Sequence, residues 1–133
     1  MSVAVAHQVS PTSHLAIREA AHEALMRDTK LEVLHVTESF DLDVEQAVRG
    51  GLSDEIDKAL KETGFDAVSW DLHLATGEDV ADAVLSLAGE VGAELLVIGA
   101  RRRSPVGKFL LGSVTQTIIL DADMPVLVVK SSA

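Results

Sequence analysis

Cysteine is absent from this chain of 133 residues, so disulfides and thiolate metal centres are excluded. That absence fits a reducing compartment, and the cytoplasm is the expected location. Aromatic residues are nearly absent too: Trp70 is the single tryptophan, and there is no tyrosine. The core must then be Val, Leu, Ile and Ala, which suits strands and helices in alternation. Basic residues are the third scarcity, with 11 Lys and Arg against 21 Asp and Glu, a formal charge of −10. Such a surface argues against broad binding to nucleic acid or to an anionic membrane, both of which need clustered positive charge. No apolar run approaches the length that spans a bilayer. The first ten residues lack the basic start and apolar stretch of a secretion signal. By size the chain is expected to be one domain, residues 1–133, long enough to bury a real core.

What is present concentrates in residues 95–115. Leu95-Leu96-Val97-Ile98 is wholly apolar and reads as a buried parallel strand. Gly99 is expected to end it, where the backbone turns without a Cβ. The basic cluster Arg101, Arg102 and Arg103 follows, more informative for lying in an acidic chain. Gly112-Ser113 then opens a helix, with Val114 and Thr115 in its first turn. A helix N-terminus presents free amides and a positive dipole end, so an anion is expected there. Ligands of open α/β sheets bind at the carboxyl ends of the strands, which is where this loop falls.

The rest of the chain alternates. Residues 3–6 form a first strand, and Ser10-Pro11 gives a cap and a proline at the first helical position. Ile17, Ala20, Ala21, Ala24 and Leu25 repeat at helical spacing, and residues 31–36 form a second strand. Residues 37–51 read as a long loop with one helical turn, because Gly50-Gly51 is expected to break any helix begun earlier. A helix capped by Ser53 follows and stops at Gly64. Residues 67–74 alternate apolar and polar, which marks a half-exposed edge strand. Thr76-Gly77-Glu78-Asp79 resembles a capping box, and Val80, Ala83, Val84, Leu87, Ala88 and Val91 make a stripe that ends at Gly92. Residues 125–129 are a fifth strand. Alternation with short connections implies right-handed parallel crossovers and helices on both faces of the sheet.

Gly99, two residues, position 102, nine residues and Gly112-Ser113 together follow the spacing G-x2-G-x9-G-[S/T]. That is the nucleotide signature of the universal stress protein family, which residues 110–114 and 124–129 also resemble. The resemblance implies an open twisted five-stranded parallel sheet, order 3-2-1-4-5, with an ATP or other adenine-nucleotide site between strands 1 and 4. It implies phosphate contacts from Gly99, Gly112, Ser113, Val114 and Thr115, and a base framed by backbone near Ala6 and Val36. The side chains of Arg101, Arg102 and Arg103 are read as a phosphate clamp, the alternative being a solvated loop that offsets some of the acidic surface. Two positions depart from the family: Arg102 replaces the second glycine, and Ala6 stands where an aspartate usually serves the nucleoside. Weakened nucleotide binding is the expected result, with His7 a hydrogen-bonding substitute or an ordinary loop residue. Strand 5 (Val126, Leu127, Val128 and Val129) is apolar on both faces at an open edge, so it is expected to pair with its copy in a homodimer.

Other chemistries are poorly served. Lys108 is followed by Phe109 rather than a magnesium-binding hydroxyl, so Gly107-Lys108 is not a P-loop, and there is no GxGxxG. His14, His22, His35 and His73 show no ligand spacing and Asp41, Asp43 and Glu45 lack the EF-hand frame, so no metal is expected. Ser10, Ser69 and Ser104 sit in no nucleophile elbow, so no catalytic residue is identified, although slow ATP hydrolysis stays open. The expectation is a nucleotide- or anion-responsive stress protein. The alternatives are a degenerate dimeric interaction module and, less well supported, an ATP pyrophosphatase-like enzyme, whose Ser-Gly-Gly-type phosphate loop is missing after strand 1.

Overall fold

A computed structural model describes residues 1–7, 11–37, 42–101 and 112–131. Strands and helices alternate: β1 (Ser2–Ala6), α1 (Pro11–Met26), β2 (Lys30–Thr37), α2 (Leu42–Thr63), β3 (Trp70–Thr76), α3 (Val80–Glu90), β4 (Ala93–Arg101), α4 (Ser113–Asp121) and β5 (Val126–Ser131). The five strands form one parallel sheet in the order β3-β2-β1-β4-β5. This is the expected single-domain α/β fold.

The sheet separates two apolar cores. Val3, Val5, Leu31, Val33, Leu95 and Val97 point to one side and pack with Ile17 of α1 and Leu52, Ile56 and Leu60 of α2. Ala4, Leu34, Leu96 and Ile98 point to the other and meet Ala81, Val84 and Ala88 of α3 and Ile118 of α4. The two-residue period of a strand sorts these sets onto opposite faces. Since both faces are covered, the central strands are continuously apolar, and Val3, Ala4, Val5, Leu96 and Val97 have no exposure. Each large side chain buried this way contributes about 1.5–3 kcal/mol. On α1, Ala16, Ala20, Ala21 and Ala24 are at most 1% exposed, and their small size lets the helix lie close on the sheet.

Local signals hold at several ends. Gly64 has φ +80°, and the Phe65 amide reaches back to the Leu60 carbonyl at 3.1 Å, closing α2 with a left-handed glycine and a trailing apolar contact. Gly92 closes the turn after α3 in the same backbone region, at φ +66°. Helix α1 starts at Pro11, while Ser10 lies outside the described residues.

Four expectations are corrected. Helix α2 runs unbroken through Gly50 and Gly51, and Ser53 lies inside it rather than capping it. Two glycines cost a helix about 1 kcal/mol each relative to alanine, less than the burial of Leu52, Ile56, Ala59 and Leu60 returns. Strand β4 continues past Gly99, which pairs with Val129, through Arg101. Strand β3 starts at Trp70 and ends at Thr76, later at both ends than expected. Asp79 is itself the N-cap of α3, its carboxylate accepting the Asp82 amide at 3.1 Å. The edge position of β3 is as expected.

Candidate functional site

Because all strands run the same way, the ends of β1, β2 and β4 and the start of α4 lie on one rim of the sheet. Ala6 is the last residue of β1, Val36 lies near the end of β2, and Gly99 and Arg101 lie at the end of β4. The structure therefore brings these four to one rim, with Gly112, Ser113, Val114 and Thr115 across the β4–α4 crossover. Arg102 and Arg103 lie outside the described residues, as do residues 107–109 and Ser104. Ala6 and Val36 pack partly into the α3/α4 core, which leaves their backbone groups as the polar contacts available there.

Gly112 is the N-cap of α4 with extended backbone (φ −68°, ψ 165°) and offers no side-chain cap. Ser113 is the first helical residue rather than the cap. Helical N-termini leave their first amides without intrahelical partners, so this end of α4 presents such amides and a positive dipole end.

The same rim holds a constellation that sequence spacing did not indicate. In register, His7 follows Ala6, which pairs with Leu34, so its neighbour across the ladder is His35. Their Nδ1 atoms lie 3.2 Å apart with ring centroids separated by 5.4 Å, and both residues are buried. Burial and the adjacent His35 hold His7 below the usual imidazole range, at about 4. Burial lowers His35 as well. With both rings neutral, one Nδ1 donates and the other accepts. Among the described residues His7 Nε2 is buried with no hydrogen-bond partner, and an unpaired buried polar group costs about 1–3 kcal/mol. Nearby, His14 of α1 meets Glu55 of α2 at 3.2 Å and ties the two helices together.

A second polar cluster lies across β2 and β3, on the opposite face of β2. Register places Glu32 beside Asp71, and His73 contacts the Glu32 carboxylate at 2.5 Å. Glu32, Asp71 and His73 offer three donor atoms within 4.8 Å of one another, so His73 does have the neighbouring ligand set that its sequence spacing hid. Both carboxylates are already matched, Glu32 by His73 and Asp71 by Lys30. The bond to Asp71 raises the Lys30 pKa. As it stands, the cluster is an ion-paired network guarding an edge strand. An open cleft of about 330 Å³ lies at the other rim, lined by Asp28, Thr29, Lys30 and Ser69 among others. Among the described residues, no helix is long and apolar enough to cross a membrane.

An open parallel α/β sheet with a glycine-opened helix beside its central strands defines the class as a Rossmann-like α/β domain. The profile of the Universal stress protein family matches residues 1–130, and the chain belongs to that family. A universal stress protein of Mycolicibacterium smegmatis is 34% identical over 128 residues, covering 96% of each chain. The universal stress protein of Archaeoglobus fulgidus in complex with dAMP superimposes with a TM-score of 0.74 at 26% identity, over 98% of both chains. A universal stress protein in complex with cAMP gives 0.73 at 27% identity, over 99% of this chain and 98% of that one.

Proposed function

We propose that this chain is a regulatory, non-catalytic stress protein that senses an adenine nucleotide or phosphate anion at the β4–α4 crossover. The observation that carries the reading is the start of α4: a glycine N-cap without a side-chain acceptor, on the rim where β1 and β4 end. The dAMP and cAMP complexes of the two structural relatives supply the ligand class. In this reading the amides from Gly112 to Thr115 take the phosphate, Gly99 lets it approach, and Arg101, Arg102 and Arg103 neutralise it. Ala6 contributes no carboxylate to the nucleoside, and Arg102 fills the place of a glycine. ATP is therefore held weakly and with little preference over ADP and AMP.

Calorimetry with ATP, ADP, AMP and pyrophosphate tests this on the wild type, Arg102→Gly and Arg102→Gly with Ala6→Asp. Measurable pyrophosphate affinity is expected, with ATP affinity rising at least tenfold in the double variant. Tight, ATP-selective binding by the unmodified chain overturns the weakened site. No binding by any of the three overturns the nucleotide reading.

The reading also places the protein in the cytoplasm as a homodimer built on β5. Val126 to Val129 are only half buried on an open edge, and together they contact both cores. Sedimentation of a dimer at micromolar concentration, converted to monomer by Val128→Lys, is the expected result. If nucleotide binding fails while the dimer persists, the interaction-module reading takes its place.

A further inference from the structure

We propose that Glu32, Asp71 and His73 bind a divalent cation of the zinc class, which takes the places of the Lys30 ammonium and of the proton between His73 and Glu32. The proposal stands independently of the nucleotide reading.

The argument starts from register. Pairing of β2 with β3 sets Glu32 beside Asp71 and Leu34 beside His73, while Glu32 pairs on its other side with Ala4. Alternate residues of a strand share a face, so the three polar side chains stand on the face that carries Ala4, Leu34 and the α3 core. Glu32 is 8% exposed there, the one buried carboxylate among the described residues. A buried carboxylate is stable only when paired or bound to a metal. Asp71 stands directly across the ladder from it, and like charges so placed repel. Two adjacent carboxylates are matched by a single centre of charge +2.

The third ligand selects the ion. Oxygen-only sites suit calcium and magnesium, whereas one imidazole with two carboxylates and no thiolate suits zinc and its first-row neighbours. The three donor atoms lie within 4.8 Å of one another. A tetrahedral ion at zinc bond lengths holds its ligand atoms about 3.3 Å apart. Side-chain adjustment alone supplies that: His73 Nε2 and Glu32 Oε2 separate from 2.5 Å, and Asp71 draws in. Entry is open, because β3 is the edge strand and the Asp71 side chain is 53% exposed. Three protein ligands leave a fourth position to water. Lys30 is the competitor, and its pairing with Asp71 in contact with solvent is weak enough to yield.

The test uses the full chain, stripped of metal with a chelator, dialysed and kept free of nucleotide. Calorimetry with zinc chloride is expected to show one ion per chain at micromolar affinity, with magnesium chloride far weaker. Glu32→Gln and His73→Phe should each weaken zinc about tenfold or more, since each removes one of three ligands. Lys30→Met should tighten it severalfold, the mark of a displaced ammonium and the opposite of what loss of a structural ion pair would do. In long-range ¹H–¹⁵N spectra of histidine-labelled protein, zinc should move the His73 Nε2 resonance before those of His14 and His22. Zinc that shifts His14 or His22 and leaves His73 unmoved overturns the proposal, as does an absence of zinc binding by the wild type. Unchanged affinity in a folded Glu32→Gln or His73→Phe overturns it too. If neither variant folds, the His73 resonance and the direction of the Lys30→Met effect decide, and an affinity unchanged or lowered by Lys30→Met overturns the exchange.

Discussion

The two histidine contacts made by β2 sit on opposite faces of the same strand and follow opposite charge logic. His7 and His35 are two bases facing each other in a buried site, and each can stay there only by remaining neutral. His73 faces the Glu32 carboxylate at the sheet edge, where the pair is coupled to solvent through a half-exposed ring. Among the described residues, one contact leaves a polar atom without a partner, and the other gives each carboxylate one. The difference separates a pair of rings that burial keeps neutral from an ion-paired network at the sheet edge.

Acid should break this comparison most strongly. His7 titrates at about 4 in the fold against 6.5 in the unfolded chain, so folding favours its neutral form. Its contribution is complete above pH 6.5 and is lost as pH falls toward 4, because the unfolded chain takes up a proton that the fold refuses. Over that window the loss amounts to roughly 3 kcal/mol at about 1.4 kcal/mol per pKa unit. Urea unfolding between pH 7 and pH 4 measures it, and His7→Phe is expected to flatten the slope. An unchanged slope would place the acid sensitivity elsewhere.

Glu32→Gln keeps the shape of the second contact and removes its charge. The Glu32 side chain is 10% exposed, and a hydrogen bond to a charged partner contributes about 1.5–3 kcal/mol. A loss near the lower end of that range is expected at pH 7, read from the urea midpoint at constant slope. A loss as large as that of a core truncation would mean that Glu32 does more than hold His73. Lys30→Met should have the smallest effect. Its ion pair with Asp71 is open to water, and the difference from wild type should vanish in high salt.

Much of the fold was legible in the sequence because its signals are local. The apolar run Leu95-Leu96-Val97-Ile98, Pro11 at a helix start and Gly64 at a helix stop each act within a few residues. Gly50-Gly51 misled because propensity is a weak local preference, and burial of Leu52 and Ile56 beneath the same helix outweighs it. The spacing from Gly99 to Gly112-Ser113 was legible, and the strand β4 and helix α4 it joins are where the sequence put them. The His7–His35 pair was not, since 28 residues separate the two and only parallel register makes them neighbours. Glu32, Asp71 and His73 were hidden for the same reason, with Glu32 and His73 lying 41 residues apart.

The parallel order of the sheet also governs how the chain can fold. Every ladder joins strands separated by a helix, so no hairpin is available as a nucleus. Strands β1, β2 and β3 with α1 and α2 can associate in chain order, but β1 must wait for β4 to fill its other side: Ser2 pairs with Ala93 and Val3 with Leu95. Until then the free edge of β1 stays open, and Leu95, Val97, Leu96 and Ile98 are missing from the two apolar cores. Topologies dominated by such distant pairings reach the native state in milliseconds to seconds. The docking of β4 is thus what closes both cores, and during synthesis the residues before Ala93 stay incomplete until the fourth strand arrives.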